Sequence, residues 1–363
     1  MRSGHLFLSL LQARVGASLV SRLGDIPPDG LLAEPPEELA SRVGMTQKAA
    51  RAFEEIRRTF DPDAMYRELA RKELSVSTSA DASYPERLED VPDPPPALFG
   101  HGEFPEAPSV ALVGSRSASA TGLEAARALG RALGERGICV VSGLALGVDA
   151  AAHEGALDAN GPTVGVLGCG IDIVYPRANR GLFERVKEAG ALVSEYYLGE
   201  PPLAWRFPAR NRIIAGLSDA VVVVEAPEKS GALITARHGA ECGRDVWAVP
   251  GPLAMPECRG SNRLLADGAS VLWDVTEFVE LYAQGNGRSS GSSPATEPAI
   301  PESLPEKEAM VLGGVGLEPT GVDVISDRSG VETRLVLSAL AMLELKGYVA
   351  RGPGGAFVRR AAL

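Results

Sequence analysis

The feature that most constrains the fold is a repeated alternation of apolar runs and amphipathic helical patterns between residues 110 and 251. Runs that are apolar at every position form strands buried on both faces, and such strands build a parallel sheet covered by helices on both sides. The pattern therefore predicts a doubly wound, mostly parallel α/β domain. The apolar runs are residues 110–113, 138–141, 163–167, 192–193, 220–224 and 246–249, and the helical patterns are residues 121–135, 149–157, 179–189 and 233–242.

Composition divides the chain into four parts, with this α/β domain at residues 76–285. Residues 286–303 are rich in Gly and Ser and predict a flexible linker. We expect residues 1–75 to form several short helices, a SAM-like or helix-hairpin-helix module, and the acidic excess of residues 1–105 favours packing or protein interaction over a DNA clamp. Residues 304–363 combine a helix at 332–345 with two short strands around a turn at 352–355, the ending of a winged helix. The balanced charge of this tail leaves open whether it contacts DNA or protein.

The charge of the chain limits how it could bind nucleic acid. With 36 Lys and Arg against 47 Asp and Glu, the formal net charge is −11. This acidic balance argues against coating nucleic acid by bulk attraction, so any such site must be local.

Other function classes are excluded by what the sequence lacks. The four Cys are scattered, without a Cys-x-x-Cys pair or a His at ligand spacing, so we expect neither a disulfide scaffold nor a metal site. There is no apolar run of about 18 residues, the minimum for a membrane span, and no leader pattern opens the chain. We expect a cytoplasmic protein with no membrane partner.

The strongest candidate site follows the first apolar run. In a parallel sheet the carboxyl ends of the strands meet at one edge, where ligands bind. There, Gly114, Ser115, Arg116 and Ser117 are expected to open a helix, whose free N–H groups and dipole favour a phosphate that Arg116 also binds. The segment is not Gly-x-Gly-x-x-Gly, and no P-loop motif occurs in the chain. We therefore expect no dinucleotide cofactor and no P-loop ATPase.

A second candidate site concentrates three arginines and two aromatic residues between residues 205 and 212. Arginine binds phosphate, and aromatic rings stack on bases of any sequence at roughly 1–3 kcal/mol per base. Because Pro201 and Pro202 precede it, we interpret the segment as a loop that binds single strands; the alternative buries Phe207 and pairs the arginines with acids. The candidate residues are Trp205, Arg206, Phe207, Arg210, Asn211 and Arg212.

Two further groups belong to the same predicted edge. Lys229, Ser230 and Gly231 follow the strand at residues 220–224 and open a helix, which predicts another anion contact. Asp149 precedes a helix and is expected to be its N-cap. Glu195 and Glu225 could orient nearby arginines or act as an acid/base pair. Because the sequence shows no nucleophile–base constellation, we rank an enzymatic function below a binding function.

Several independent motifs between residues 81 and 275 resemble the DprA/Smf family, the DNA-processing protein A family. They include Val-Ala-Leu-Val-Gly-Ser-Arg at 110–116, Val-Val-Ser-Gly-Leu-Ala-Leu-Gly-Val-Asp at 140–149, Tyr-Pro at 175–176, Phe-Pro-Ala-Arg-Asn-Arg at 207–212, Ser-Gly-Ala-Leu-Ile-Thr-Ala at 230–236 and Gly-Ser-Asn at 260–262. The resemblance implies an extended Rossmann domain that binds single-stranded DNA, forms a homodimer and helps to load the RecA recombinase during natural transformation. The tail resembles the family's winged-helix-like domain.

The resemblance also implies which residues form the DNA pocket. Just before Phe207, where some relatives have a lysine, this chain reads Ala-Trp-Arg, so Arg206 is expected to replace that charge and Trp205 to add stacking. Carried over by position, the pocket residues are Ser115, Arg116, Phe207, Arg210 and Arg212, with Lys229 as a further candidate.

The alternative function is a nucleotide-binding or nucleotide-processing enzyme of the LOG, or lysine-decarboxylase-like, Rossmann group, with Glu195 or Glu225 as acid/base. That group's Pro-Gly-Gly-x-Gly-Thr loop is missing, because residues 229–233 read Lys-Ser-Gly-Ala-Leu. We therefore expect a DNA-binding mediator without catalytic turnover and without a cofactor.

Overall fold

The computed structural model describes residues 2–16, 20, 22–23, 26–283, 304–316, 320–346, 348–351 and 356–359. The predicted linker at 286–303 and the predicted turn at 352–355 lie outside these residues. The chain forms two compact units, Met1–Arg288 and Ser289–Leu363, which are described separately.

Within the described part of the first unit, nine strands form one sheet in the order β1-β2-β6-β5-β4-β3-β7-β8-β9. The strands from β6 to β9 in that order pair in parallel, whereas β2 pairs antiparallel with both β1 and β6. The prediction of a mostly parallel, doubly wound sheet is confirmed. The strands are β1 (Ser75–Thr78), β2 (Ala97–His101), β3 (Ser109–Val113), β4 (Cys139–Ser142), β5 (Thr163–Leu167), β6 (Ala191–Ser194), β7 (Ala220–Val223), β8 (Asp245–Ala248) and β9 (Ser270–Val271).

The strand order reverses between β3 and β7. From β3 the chain winds outward through β4 and β5 to β6, and it then returns to the other side of β3 and continues through β7, β8 and β9. At such a reversal the loops that leave two neighbouring strands diverge to opposite faces, which opens a crevice at the carboxyl edge.

Alternate residues of each central strand face two separate cores. Val110 and Leu112 of β3 pack on one face, and Ala111 and Val113 pack on the other. In the described part of the first unit, the helices with defined bounds are α1 (Arg2–Val15), α2 (Gly30–Ala33), α3 (Pro36–Val43), α4 (Gln47–Thr59), α5 (Pro62–Arg71), α6 (Ala120–Glu135), α7 (Val148–Asp158), α8 (Arg180–Ala189), α9 (Arg206–Gly216), α10 (Gly231–Glu241), α11 (Arg259–Ala266) and α12 (Val275–Ala283). Helices α6, α7 and α12 cover the first face, and α9 and α10 cover the second.

The N-terminal helices belong to the same compact unit. Phe7 and Leu11 of α1 pack with Phe53 of α4 in a small core of their own. On another side of α1, Leu6 joins the cluster that contains Phe99 of β2. Helix α1 therefore bridges the N-terminal helices and the antiparallel edge of the sheet.

The second unit contains α13 (Glu306–Gly314), α14 (Val322–Ser329) and α15 (Thr333–Leu345), followed by the antiparallel strands β10 (Val349–Arg351) and β11 (Phe357–Arg359). Val336, Leu340 and Leu343 of α15 form its core with Ile325 and Phe357. The helix and the strand pair predicted for the winged-helix ending are confirmed. No helix in the described parts of either unit is long and apolar enough to cross a membrane.

Helices α6 and α7 pack through glycines. A Cβ on Gly155 would lie 2.1 Å from the backbone oxygen of Arg127, and one on Gly130 would lie 2.2 Å from that of Ala152. Both distances are well below van der Waals contact with backbone atoms that cannot move independently. The two helix backbones can approach this closely only because neither position carries a side chain.

We expect Gly155→Ala to lower the free energy of unfolding by about 1–3 kcal/mol, because the added methyl group must push α6 and α7 apart. Gly181→Ala in α8 is the matched control, since its Cβ would meet no atom within 4 Å. Alanine in an exposed helix should stabilise slightly, by up to about 1 kcal/mol. Thermal unfolding followed by circular dichroism measures both; equal melting temperatures for the two variants would contradict the packing argument.

Candidate nucleic-acid interface

A cleft of about 670 Å³ opens at the carboxyl edge of the sheet, where β3 and β7 lie side by side. The loop after β3, helix α9 between Phe207 and Ile214, the start of α10 and Tyr175 all contribute to its lining. The volume lies within the range of about 300–1,000 Å³ typical of ligand pockets.

The loop after β3 is held by hydrogen bonds to the segment that follows β7 and to the first residue of α7. The Ser115 amide donates to the Glu225 backbone oxygen at 2.7 Å, and the Ser115 hydroxyl accepts from the Ser117 amide at 3.1 Å. A Cβ on Gly114 would lie 2.5 Å from Cγ2 of Val148 and 2.8 Å from the Glu225 oxygen, so only glycine fits there. Gly114, Ser115, Arg116 and Ser117 all line the cleft.

The prediction that residues 114–117 begin the next helix and bind phosphate at its N-terminus is wrong about where that helix begins. Helix α6 begins only at Ala120, after the N-cap residue Ser119. The Glu225 carboxylate accepts from the Ser119 amide at 2.8 Å and from the Ser119 hydroxyl at 2.5 Å. This carboxylate already supplies the negative charge that a helix N-terminus favours. An anion at this loop would therefore meet Arg116 rather than the free N-terminus of α6.

The exposed Arg116, the half-buried Phe207 and the exposed Tyr175 are neighbours in the cleft. The exposed Arg116 guanidinium lies 5.5 Å from the centroid of the Phe207 ring, and the Tyr175 ring lies 5.3 Å from the same ring at an angle of 34°. Tyr175 is 41% exposed. We predict no role for Tyr175 from the sequence. The signal that could have identified it is the family's Tyr-Pro motif at residues 175–176.

The prediction that residues 205–212 form a loop is wrong, because Arg206–Gly216 is helix α9. Pro201 and Pro202 precede the helix, and Pro208 lies in its first turn, where the missing N–H costs nothing. A helix presents residues three and four apart on one face. Accordingly Phe207, Arg210, Asn211 and Ile214 line the cleft.

Arg206 and Arg212 are not brought to the cleft. Arg206 is only 1% exposed and donates to the Glu200 carboxylate at 2.7 Å and to the backbone oxygens of Pro201 and Ala13, each at 2.8 Å. It therefore does not replace the cleft charge that the resemblance implied. Arg212 makes a two-pronged contact with the Glu195 carboxylate, at 2.8 and 2.7 Å. The Gln12 amide donates to that carboxylate as well, at 2.6 Å.

Arg210 reaches the cleft but is buried in its floor. Its guanidinium donates to the backbone oxygens of Gly143, at 3.1 Å, and Val166. Burial raises the pKa of the neighbouring Asp149 carboxyl, and the positive charge of Arg210 opposes that rise. The expectation that Asp149 caps α7 is wrong: Gly147 is the N-cap residue, and Asp149 accepts from the Gly143 amide at 3.1 Å.

The remaining candidates lie at the rim. Ser230 and Gly231 line the cleft, and the Ser230 hydroxyl caps α10 by accepting from the Ala232 amide at 3.2 Å. The Asn211 side-chain amide donates to the Gly231 oxygen at 3.1 Å and ties α9 to α10. Trp205 and Lys229 are exposed next to lining residues but are not part of the cleft wall.

The two carboxylates considered for acid/base chemistry face away from the cleft. Glu195 is buried against Arg212, and Glu225 is buried against Ser119; neither lines the cleft. Among the described residues, no group of three His, Cys, Asp or Glu side chains could hold a metal ion. The arrangement offers phosphate binding and ring stacking.

The family model for DNA recombination-mediator protein A matches residues 75–283, and the model for the DprA winged helix domain matches residues 294–355. The chain belongs to the DprA/Smf family. It is 36% identical over 339 residues to protein Smf of Synechocystis, covering 84% of this chain and 85% of that protein. It is 41% identical over 279 residues to protein Smf of Escherichia coli, covering 75% and 74% of the two chains.

Two solved structures of this family share the fold. The X-ray structure of DNA processing protein A (DprA) from Streptococcus pneumoniae matches with a TM-score of 0.65 and 32% identity, over 77% of this chain and 98% of that chain. A structure of DNA processing protein A from Helicobacter pylori, reported for its single-stranded DNA binding mode, matches with a TM-score of 0.53 and 29% identity, over 59% and 97% of the two chains.

We expect Glu195→Ala to lower the free energy of unfolding by about 3–5 kcal/mol, because it leaves the buried Arg212 charge without its partner. Glu228→Ala, which removes an exposed carboxylate on a nearby loop, should change stability by less than about 0.5 kcal/mol. Denaturant titration followed by tryptophan fluorescence measures both. A Glu195→Ala protein as stable as the Glu228→Ala control would show that the ion pair does not hold α9.

Proposed function

We propose that this DprA/Smf protein binds single-stranded DNA in the cleft at the β3–β7 reversal and acts as a recombination mediator. The observation that carries the proposal is the contact of the exposed Arg116 guanidinium and the Tyr175 ring with Phe207. Guanidinium and ring faces together bind the two repeating parts of any strand, phosphate and base. Unpaired bases are required, because a ring can stack on a base only when its face is free.

The electrostatics of the cleft suit a polyanion in an otherwise acidic protein. The chain has a net charge of −11, yet Glu195 and Glu225 are buried in contacts behind the cleft wall. Arg116 is the exposed charge of the cleft, whereas the buried Arg210 in the floor is accompanied by the buried Asp149 carboxyl, which also lines the cleft. A locally positive cleft concentrates the field where the strand lies.

We assign each candidate residue a role. Arg116 binds phosphate, Phe207 and Tyr175 stack on bases, and Trp205 and Lys229 extend the contact at the rim. Arg206 and Arg212 hold α9 in place without touching DNA. The backbone and small side chains that complete the surface are Gly114, Ser115, Ser117, Asn211, Ser230 and Gly231, with Arg210 beneath them.

The family description as a recombination mediator supports the finer proposal. We propose that the protein protects incoming single strands in the cytoplasm during natural transformation, loads RecA onto them, and forms a homodimer through the Rossmann domain. A dimer would bring two clefts, and so two segments of strand, to one RecA nucleation site. RecA filament formation on strands covered by single-strand binding protein tests this: the full chain should shorten the lag, and an Arg116→Ala variant should not.

We expect Arg116→Ala to weaken binding of single strands to a similar degree for all sequences, because the contact is with phosphate. The slope of log K against log salt should fall by about 0.7, the value for one phosphate of a single strand. Fluorescence anisotropy titrations of labelled oligothymidylate and mixed-sequence strands at several salt concentrations measure both quantities.

Arg58→Ala is the matched control, since Arg58 is an exposed arginine of α4, which contributes no residue to the cleft wall. It should bind as the unmodified protein does. An Arg116→Ala protein that binds single strands with unchanged affinity and salt slope would disprove the assignment of the cleft. A duplex of the same sequence should bind more weakly in every case, and a preference for duplex would disprove the stacking role of Phe207.

A further inference from the structure

A second depression lies beside the main cleft and shares one wall with it. It has a volume of about 300 Å³, and Arg116 and Ser117 line both spaces. Arg116 therefore stands between them, at the carboxyl edge of β3. A polymer chain that leaves the main cleft past Arg116 enters this depression directly.

The depression offers an apolar surface to a flat group. Leu123 in the first turn of α6 and Leu146 in the loop between β4 and α7 both line it, and they are 36% and 43% exposed. Single exposed leucines are ordinary on protein surfaces. Two that line one concave surface next to an exposed arginine provide a face against which a base can pack.

The charge around the depression favours an anion. Glu154, the acidic side chain in its lining, is engaged by Arg127, which also lies 3.6 Å from the Asp158 carboxylate. Arg177 and Arg180 are close in sequence to the lining residue Asn179, although neither is itself part of the lining. Both are exposed, and among the described residues neither forms an ion pair. Their charge is therefore available to a phosphate.

The depression is also preformed. The Asn179 side-chain amide donates to the backbone oxygens of Leu144, at 2.9 Å, and Ala145, at 3.1 Å. Leu144 has a φ of +53°, a left-handed conformation that a leucine adopts only when its surroundings hold it. Fixing this loop before a ligand arrives lowers the entropy lost on binding.

We propose that this depression is a second nucleotide subsite, in which the strand continues from the main cleft across Arg116. A base would pack on Leu123 and Leu146, and the following phosphates would meet Arg180 and Arg177. The inference rests on the proposed single-strand binding by the main cleft, and it adds a direction to the path: away from Phe207 and towards α8.

The dependence of affinity on strand length tests the proposal. Oligothymidylates from about 4 to about 16 nucleotides span the site sizes common for single-strand binding surfaces. Leu146→Ser and Arg180→Ala should each weaken binding of the longest strands by about fivefold, the order expected for losing one base or phosphate contact. They should leave the affinity for the shortest strands, which fill the main cleft alone, unchanged. Phe207→Ala should weaken binding at every length, and Arg58→Ala at none.

The outcomes separate the two proposals. If Phe207→Ala weakens all strands while Leu146→Ser and Arg180→Ala match the unmodified protein at every length, the subsite is disproved and the main cleft stands. If the two variants weaken the shortest strands as much as the longest, the depression is not a continuation of the path, and the proposal also fails. Unchanged binding by Phe207→Ala would overturn the main cleft and the subsite together.

Discussion

The structure depends on the burial of three guanidinium groups along one helix. A buried charge is tolerated only where hydrogen bonds and opposite charge replace its water. Arg206 finds these partners in α1 and the chain before α9, Arg210 finds them at the carboxyl ends of β4 and β5, and Arg212 finds them in Glu195 after β6. Helix α9 is therefore fixed from three directions. The side of α9 that lines the cleft carries Phe207, Arg210 and Asn211.

Internal contacts of carboxylates also explain how an acidic chain could bind a polyanion. Two carboxylates that follow strands of the sheet make their contacts inside the protein. Glu195 pairs with Arg212, and Glu225 accepts from the N-cap residue of α6. What faces the solvent at the cleft is one exposed arginine and two rings in contact. Under the proposed function, binding strength would come from a few placed groups rather than from a basic surface. Helix α1 supports these groups indirectly, because Gln12 donates to the Glu195 carboxylate and the Ala13 oxygen accepts from Arg206.

The sequence predicted most of the central sheet, because apolar strands and amphipathic helices are local patterns; the strands at 163–167 and at 220–224 lie within one residue of those found. It failed at α9, where two prolines suggested a loop. In a helix, Phe207 and Asn211 lie on a different face from Arg206 and Arg212. The prediction of a loop could not make this distinction, because it placed all four side chains within reach of DNA. The capping of Ser119 by Glu225 joins residues 106 positions apart, and no local pattern reports such a contact.

The adjacency of β3 and β7 has a consequence for biosynthesis. Val110 pairs with Ala220, so the crevice between these strands does not exist until some 110 intervening residues have been placed. Its walls are complete only when α10, which ends at Glu241, has docked. A chain still emerging from the ribosome therefore has scattered arginines but no groove. Under the proposed function, nucleic acid near the site of translation would meet a complete binding surface only after that stage.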